Sequence, residues 1–386
     1  MNITDLLSNW TESTTEGNLD ELLQSKIEPM VDKATRDLVE DVVYCWFLPI
    51  LTILGTTGNV LSCIVLMIQG LKDSTNIFLF VLTVSDTGNL LTNGIRRVEC
   101  ILGKFDALLG MNYYMVTLPQ MKVITIIFSR FTGVITMLIS LERCIAVTRP
   151  MKVRIWFTTK RVWIMIIALI VVVLTLISPT FFTMQLNWTT HPITKAPMAY
   201  VSLTDFYTKN IVVMNWYLSV FLTIMFRFIP VVFIFTTSVT IIIALRKSTA
   251  FQKATSSAKD EKLTRVTRMM LTICISYVIF NIPASIHQAF VFLYPEYNLR
   301  GSEKNVFYLV SAFGQLAEAT NSAWNFVLYF ALSEKFASTL KRVLCYSCRN
   351  LTIRKSIKRT ATSSGGETKE TPISATKPSN SENSKL

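Results

Sequence analysis

The chain has 386 residues, of which 51% are hydrophobic and only 16% are charged, and its mean hydropathy is +0.43. Soluble domains carry nearer ~25% charged residues, so this composition excludes an ordinary soluble domain and predicts helices buried in lipid. The net charge of +13 does not indicate nucleic-acid binding, because the bases are spread over the segments between the apolar runs.

Residues 1–41 are polar and acidic, with ten Asp or Glu residues against three Lys or Arg residues. No apolar run with a small-residue cleavage site opens this segment, so we expect the first span to act as its own insertion signal. Two Asn-X-Thr sequons, at Asn2 and Asn9, are glycosylation candidates if the segment lies outside the cell.

Seven apolar segments follow, each near the ~20 residues that a helix needs to cross hydrocarbon. They predict an all-α membrane protein, a seven-transmembrane helix bundle over residues 42–332. The segments are Val42–Ile68, Ile77–Ile95, Val116–Val147, Val162–Met184, Ile211–Leu245, Met269–Leu293 and Val306–Leu332.

Basic residues flank these segments unevenly and predict their orientation. Five Lys or Arg residues lie within residues 149–161, after the third segment, and five lie within residues 246–262, after the fifth. Because Lys and Arg stay on the cytoplasmic side, we expect a multi-pass protein of the plasma membrane with an extracellular N-terminus and a cytoplasmic C-terminus. A third sequon, at Asn187, then lies outside.

The chain after the seventh segment has two parts. Residues 333–348 alternate polar and apolar side chains at helical spacing and predict a short amphipathic helix along the inner membrane surface, in contact with its lipids. Cys345 and Cys348 are palmitoylation candidates, although two unmodified thiols are the alternative. Residues 349–386 are rich in Ser, Thr and Lys and predict a disordered cytoplasmic tail, open to receptor kinases and then to an arrestin.

Glu142 and Arg143 lie at the end of the third apolar segment. An arginine at membrane depth costs roughly 3 kcal/mol by insertion measurements unless it reaches water or a partner compensates it. The adjacent carboxylate reduces this cost, and its loss would free a strong donor fork.

Polar and proline residues at matching places in all the segments give the chain a family resemblance. It resembles the rhodopsin-like family of G-protein-coupled receptors over most of residues 42–348, and is similar to divergent invertebrate members described as neuropeptide or chemosensory receptors. The matching residues are Gly58-Asn59, Leu82-Thr83-Val84-Ser85-Asp86, Glu142-Arg143-Cys144, Pro179, Pro230, Pro283, Asn325-Phe326-Val327-Leu328-Tyr329 and Phe336.

The resemblance implies a G-protein switch formed by Glu142, Arg143, Asn325 and Tyr329. In this interpretation Glu142 neutralises Arg143 at rest, and Arg143 engages a heterotrimeric G protein after activation. The alternative is that Arg143 snorkels to water and has no functional role.

Asp86 lies near the middle of the second segment, where a lone carboxylate would either protonate or recruit a cation. The resemblance implies a surrounding set of oxygen donors that suits a bound sodium ion as a cofactor. Hydrogen bonding between helices without a bound ion is the alternative. The set is Asn59, Asp86, Thr132, Asn321, Ser322 and Asn325.

Of the seven cysteines, Cys45 and Cys100 lie near the predicted outer face. The bridge that most family members make from the third span to the second outer loop is not available, because Leu118 takes the place of its first cysteine. A bridge between Cys45 and Cys100 is one alternative. Two free buried thiols are the favoured one, because cysteine is often simply a small apolar residue.

Polar side chains in the outer halves of the spans are the ligand-binding candidates, because ionisable groups in a membrane face a cavity or each other. Arg130 and Arg227 either pair with Glu318 or leave one base to meet an anionic ligand group. Thr125 takes the place of the aspartate of amine receptors, and Asn281 that of a common tryptophan. The candidates are Lys122, Thr125, Arg130, Arg227, Asn281, His287, Gln315 and Glu318.

These features predict a cell-surface receptor with an extracellular ligand. A neuropeptide is slightly favoured because the outer segments are long and charged, and a small environmental chemical is the alternative. A transporter or channel is the rival class, although no repeated halves are visible in the sequence. An enzyme is not expected, because the two histidines, His191 and His287, form no catalytic or metal-binding constellation.

Overall fold

A computed structural model describes residues 30–192, 194–252, 258–294, 296–298 and 301–345. The predictions for Asn2, Asn9, Cys348 and the tail over residues 349–386 therefore lie outside the described residues. The chain divides into two units, Met1–Thr339 and Leu340–Leu386.

Within those ranges the chain is mostly helical. The helices are α1 (Lys33–Asp41), α2 (Leu48–Gln69), α3 (Ser74–Phe105), α4 (Ala107–Thr148), α5 (Pro150–Trp156), α6 (Thr159–Ile177), α7 (Asp205–Lys209), α8 (Ile211–Asn215), α9 (Ile229–Gln252), α10 (Ala258–Leu293), α11 (Lys304–Leu332) and α12 (residues 334–345). Wider π-helical turns occupy Val42–Phe47, Trp216–Phe221 and Ile224–Phe228, and a 3₁₀ turn occupies Ser178–Phe182.

Five helical stretches of the described chain are long and apolar enough to cross a membrane. Helices α3 and α11 are also long, with 32 and 29 residues, but they carry more polar side chains. The five stretches are Lys33–Gln69, Ala107–Thr148, Thr159–Phe182, Ile211–Arg246 and Arg265–Leu293.

Several helices extend beyond the predicted apolar segments. The first begins at Lys33, inside the predicted N-terminal segment, where Asp32 accepts hydrogen bonds from the hydroxyl and amide of Thr35. Those hydrogen bonds lower the pKa of the Asp32 carboxyl below its ordinary value. Helix α3 continues past Ile95 to Phe105. Hydropathy marks where a helix is apolar, whereas hydrogen bonding decides where it ends.

A β-hairpin corrects the prediction of an all-α chain. Strands β1 (Met184–Thr190) and β2 (Pro197–Leu203) pair antiparallel, in a register that sets Met184 opposite Leu203. The Asn112 side chain of α4 donates to the Pro197 carbonyl at 2.9 Å and accepts from the Ala199 amide at 2.8 Å. These bonds hold the hairpin at the N-terminal end of α4.

Helices α3 and α4 approach each other very closely beside this hairpin. A Cβ atom at Gly110 would lie 2.6 Å from the Gly103 Cα, whereas a Cβ at Gly103 would meet no atom within 4 Å. We therefore expect Gly110→Ala to destabilise the protein by about 1–3 kcal/mol, because the backbone of α3 has to move. Thermal unfolding in detergent measures this, and Gly103→Ala is the matched control. Equal unfolding temperatures for the two variants would contradict the close approach.

Cys45 and Cys100 form a disulfide, with their Cα atoms 5.5 Å apart. The favoured expectation of two free thiols is corrected here. The π-helical turn Val42–Phe47 carries Cys45 at the side of α3, and that turn could not be foreseen from the apolar pattern. The bridge joins the first helical stretch to the end of α3.

Removal of this bridge is expected to lower stability by about 2–4 kcal/mol, because it closes a loop between residues 55 positions apart in sequence. Cys45→Ser, Cys100→Ser and the double variant should therefore unfold at similarly reduced temperatures. Cys63→Ser is the control, because Cys63 is a free cysteine. Unchanged unfolding of the double variant would show that the bridge contributes no stability.

Candidate functional site

Polar side chains form a stripe along one face of α4. Ser129, Thr132, Thr136, Ser140 and Arg143 follow each other at intervals of three or four residues, which is the spacing of one helical face. The stripe runs from the middle of the helix toward its C-terminal end. We call that end of the bundle the Arg143 end, and the end that carries β1 and β2 the hairpin end.

Glu142 and Arg143, here called the switch pair, form a two-pronged ion pair. The Nε and Nη2 atoms of Arg143 donate to the two carboxylate oxygens of Glu142. Arg143 Nη2 also donates to the Thr75 hydroxyl at 2.9 Å, and the Ser74 hydroxyl donates to Glu142 at 3.1 Å. The two residues are only 1% and 5% exposed, so each charge depends on the other for compensation.

A cavity of about 1010 Å³ opens beside the switch pair. Glu142, Arg143 and Tyr329 line it, together with Thr75 of α3 and Met269 of α10. Asn325, the fourth predicted member of the switch, does not line this cavity and lies with Asp86 instead. The structure thus gathers three of the four switch residues at one opening.

The predicted Asp86 cluster is assembled in part. Asp86 is fully buried and accepts hydrogen bonds from Thr132 at 3.0 Å and from Asn325 at 2.7 Å. Asn59 donates to the Ser322 backbone carbonyl at 3.0 Å, which leaves its own Oδ1 buried without a hydrogen-bond partner among the described residues. Asn321 is buried on α11, but no hydrogen bond joins it to this cluster in the described structure.

A second cluster lies about one turn of α4 beyond the Asp86 cluster, on the side away from the Arg143 end. We call it the charged centre, and it is formed by Arg130, Arg227, Glu318 and Ser129. Arg227 Nη2 pairs with Glu318 Oε1 at 2.6 Å, and the Ser129 hydroxyl lies 3.4 Å from Glu318 Oε2. Arg130 interacts electrostatically with both Arg227 and Glu318. The ion-pair alternative therefore holds for Arg227, while Arg130 remains beside it as a second base.

The other ligand-binding candidates are dispersed toward the hairpin end. Thr125 donates to the Thr92 hydroxyl at 2.9 Å, and Asn281 is buried and donates to the backbone of its own helix. Gln315 donates to the Tyr44 hydroxyl at 3.1 Å. Lys122, on α4, is exposed to solvent.

His287 belongs to an aromatic cluster instead. Its Nδ1 is hydrogen-bonded to the Tyr297 hydroxyl at 2.8 Å, and its ring packs against Phe307 at 4.8 Å. Burial raises the pKa of Tyr297 to about 12, so this hydroxyl keeps its proton. The cluster connects α10 to the start of α11, so the contacts of His287 in the structure are packing contacts.

Two arginines of α3 escaped prediction. Arg97 pairs with Glu99 at 3.0 Å and lies over the Tyr44 ring at 3.8 Å, while Arg96 is buried beside it. Both follow Ile95, where the predicted apolar segment ends, so they fall outside it. A helical continuation of the segment by one or two turns would have revealed them.

Two predicted modification sites lie in the described chain. Asn187 is in β1, and its Nδ2 atom donates to the Ser202 hydroxyl at 2.7 Å. Cys345 is exposed and free at the end of α12.

Comparisons with known proteins agree with this architecture. The apolar helices are those of a multi-pass membrane protein, and the family match assigns the protein to the G-protein-coupled receptor class. The chain belongs to the serpentine type 7TM GPCR chemoreceptor Srw family, whose model matches residues 46–347. It is also similar to a Caenorhabditis elegans protein described as probable G-protein coupled receptor B0563.6, with 24% identity over 325 residues that cover 80% of this chain and 71% of the relative. The resemblance to divergent invertebrate receptors of the chemosensory kind is confirmed.

Proposed function

We propose that the protein is a seven-span receptor of the plasma membrane that binds a small extracellular chemical and activates a heterotrimeric G protein. The single observation that carries this proposal is the switch pair, a buried two-pronged ion pair that borders the cavity of about 1010 Å³. A buried pair at an open end can release its arginine when a ligand changes the packing around it. In this proposal Tyr329 and Asn325 transmit that change from α11.

The proposed orientation sets the Arg143 end in the cytoplasm. The chain from Arg149 to Arg161 lies next to the switch pair and is rich in bases, which supports that side. Helices α3 and α11 then serve as the second and seventh spans, because their polar side chains face the other helices. The hairpin end and Asn187 lie outside, where Asn187, Asn2 and Asn9 are proposed glycosylation sites.

The chemical nature of the ligand is supported by the family, which is described as one of chemoreceptors. A neuropeptide is the second candidate, favoured by the long charged segments outside the spans. The transporter or channel alternative loses its support, because the chain belongs to a receptor family. The same membership supports a receptor without enzymatic activity.

The proposal is tested in cells that carry a G-protein activation reporter. A library of small organic compounds and a library of neuropeptides are applied separately to cells with the full chain and to cells without it. The proposal expects receptor-dependent activation by members of the small-compound library. Activation by peptides alone would show that the ligand is a neuropeptide, the second candidate. Ligand-driven ion or solute flux without activation would overturn the receptor function.

Sodium binding at Asp86 is a further part of the proposal. The donor set fits a hard cation, because a buried carboxylate, the Thr132 hydroxyl and the unpartnered Asn59 Oδ1 all offer oxygen. We expect basal G-protein activation to rise when choline replaces sodium, because the ion would stabilise the resting packing. Asp86→Asn should abolish this sodium dependence, and Asp73→Asn is the control. Equal sodium dependence of both variants would contradict the site.

The chain beyond α11 is proposed to serve regulation. Cys345, which is exposed, and Cys348 are the palmitoylation candidates, so α12 would lie on the inner lipid surface. Palmitate labelling of the wild type and of Cys345→Ser tests the modification of Cys345. Phosphorylation of residues 349–386 by receptor kinases would recruit an arrestin.

A further inference from the structure

The charged centre holds more positive than negative charge. Arg130 and Arg227 each interact with Glu318, the one acid within the described chain that pairs with Arg227 there. Two guanidinium groups against one carboxylate leave an excess of one positive charge in the interior of the bundle. Uncompensated charge in such a setting is costly, so the centre favours a further negative charge.

Arg227 also has hydrogen-bonding capacity to spare. Its Nη2 donates to Glu318, but its Nε and Nη1 atoms are buried and have no hydrogen-bond partner among the residues that the structure describes. The residue is only 8% exposed, so solvent does not satisfy these N–H groups. Unsatisfied buried donors of a charged group are costly, and an oxyanion is the partner that a guanidinium fits best.

Space for such a partner adjoins the ion pair. The Glu318 side chain is 20% exposed although it lies 14 residues from either end of α11, about 21 Å along the helix axis. Arg130 is likewise partly accessible at the middle of α4. A molecule the size of water can therefore reach both side chains at this depth.

We propose that the charged centre binds the anionic head of a small organic ligand that carries a single negative charge, such as a carboxylate. This assignment rests on the proposed receptor function and specifies its ligand. One negative charge balances the excess, whereas a cationic ligand would increase it and a doubly charged anion would reverse it. The free N–H groups of Arg227 hold the head, Arg130 supplies the second charge, and Glu318 competes with the ligand for Arg227.

The competition by Glu318 gives a test that a purely structural ion pair does not predict. Full-length receptor in detergent is heated with straight-chain carboxylates of four to eight carbons, and with the primary amide and the amine of each length. We expect at least one carboxylate to raise the unfolding temperature, and its amide and amine to have no such effect. Glu318→Gln should tighten carboxylate binding about tenfold, because Arg227 is released.

Arg227→Gln should abolish the carboxylate effect, and Arg268→Gln, at an exposed position of α10, is the matched control. If Arg227→Gln does not fold, the Glu318→Gln comparison still decides. The proposal would be overturned if no carboxylate raised the unfolding temperature, or if acid and amide raised it equally. It would also be overturned if Glu318→Gln bound the carboxylate no more tightly than the wild type.

Failure of the two proposals can be told apart by measuring nucleotide exchange on a G protein with the same compounds. Carboxylate binding without exchange under any compound would uphold the anion site and count against the receptor function. Exchange driven only by neutral or cationic compounds would uphold the receptor function and overturn the anion site.

Discussion

Arg143→Ala is expected to reduce ligand-driven nucleotide exchange on the G protein to the rate measured without receptor. Arg143 lines the cavity of the Arg143 end, and alanine removes both its charge and its fork of N–H groups. Exchange on purified G protein, with receptor in lipid nanodiscs, measures this effect directly.

The stability of this variant has to be followed at the same time. Alanine leaves Glu142 buried without its base, which costs about 3–5 kcal/mol, although Ser74 still donates to it. Arg143→Lys keeps the charge without the two-pronged geometry and should retain partial activity. Arg149→Ala, at an exposed position six residues further along, is the matched control. Wild-type exchange by well-folded Arg143→Ala would show that the arginine has no part in coupling.

Glu142→Gln is expected to have the opposite effect and to raise exchange without ligand. The amide keeps the size of the side chain but loses the charge that holds Arg143, so the guanidinium is left with neutral acceptors only, the glutamine Oε1 and the Thr75 hydroxyl. Coupling energies of about 1–3 kcal/mol correspond to shifts of 5-fold to 150-fold, so we expect at least a 5-fold rise in basal exchange.

Ser74→Ala serves as the graded control for this variant, because it removes one hydrogen bond to Glu142 and leaves the ion pair intact. Its basal exchange should lie between those of wild type and Glu142→Gln. A basal rate for Glu142→Gln equal to that of wild type, at equal surface expression, would refute the idea that Glu142 restrains Arg143.

The buried polar groups were predicted better than the ends of the helices. Asp86 is hydrogen-bonded to Thr132 and to Asn325, because polar residues inside apolar helices must find one another when no water is near. Glu142 and Arg143 are adjacent in sequence, so their pairing needed no long-range information. For Arg227 and Glu318, pairing was only one of two alternatives, because their helices meet only in the folded bundle.

The remaining differences have local causes. The hairpin forms because Met198 and Ala199 pack on Met111 and Met115 of α4, a tertiary contact that strand propensity alone does not reveal. The bridge between Cys45 and Cys100 depends on a π-helical turn whose wider path has no signature in the apolar pattern. Arg96 and Arg97 fall outside the predicted segment because charge ends an apolar run, although Glu99 and the Tyr44 ring compensate Arg97 within the helix.

Polar contacts connect the charged centre to the Asp86 cluster. Ser129 contacts Glu318, and one turn further along α4 Thr132 contacts Asp86, which also binds Asn325. Glu318 and Asn325 are seven residues apart and therefore share a face of α11. A ligand that moves Glu318 thus acts on the same two helices that carry Arg143 and Tyr329, which gives the proposed signal a physical route.

The proposed coupling of Arg143 to a G protein depends on which side of the membrane each end of the bundle occupies. Epitope tags at Met1 and at Leu386 in intact and in permeabilised cells test this directly. We expect antibody to reach the tag at Met1 in intact cells and the tag at Leu386 only after permeabilisation, with a glycan on Asn187. Both tags reachable in intact cells, or both reachable only after permeabilisation, would contradict the seven spans.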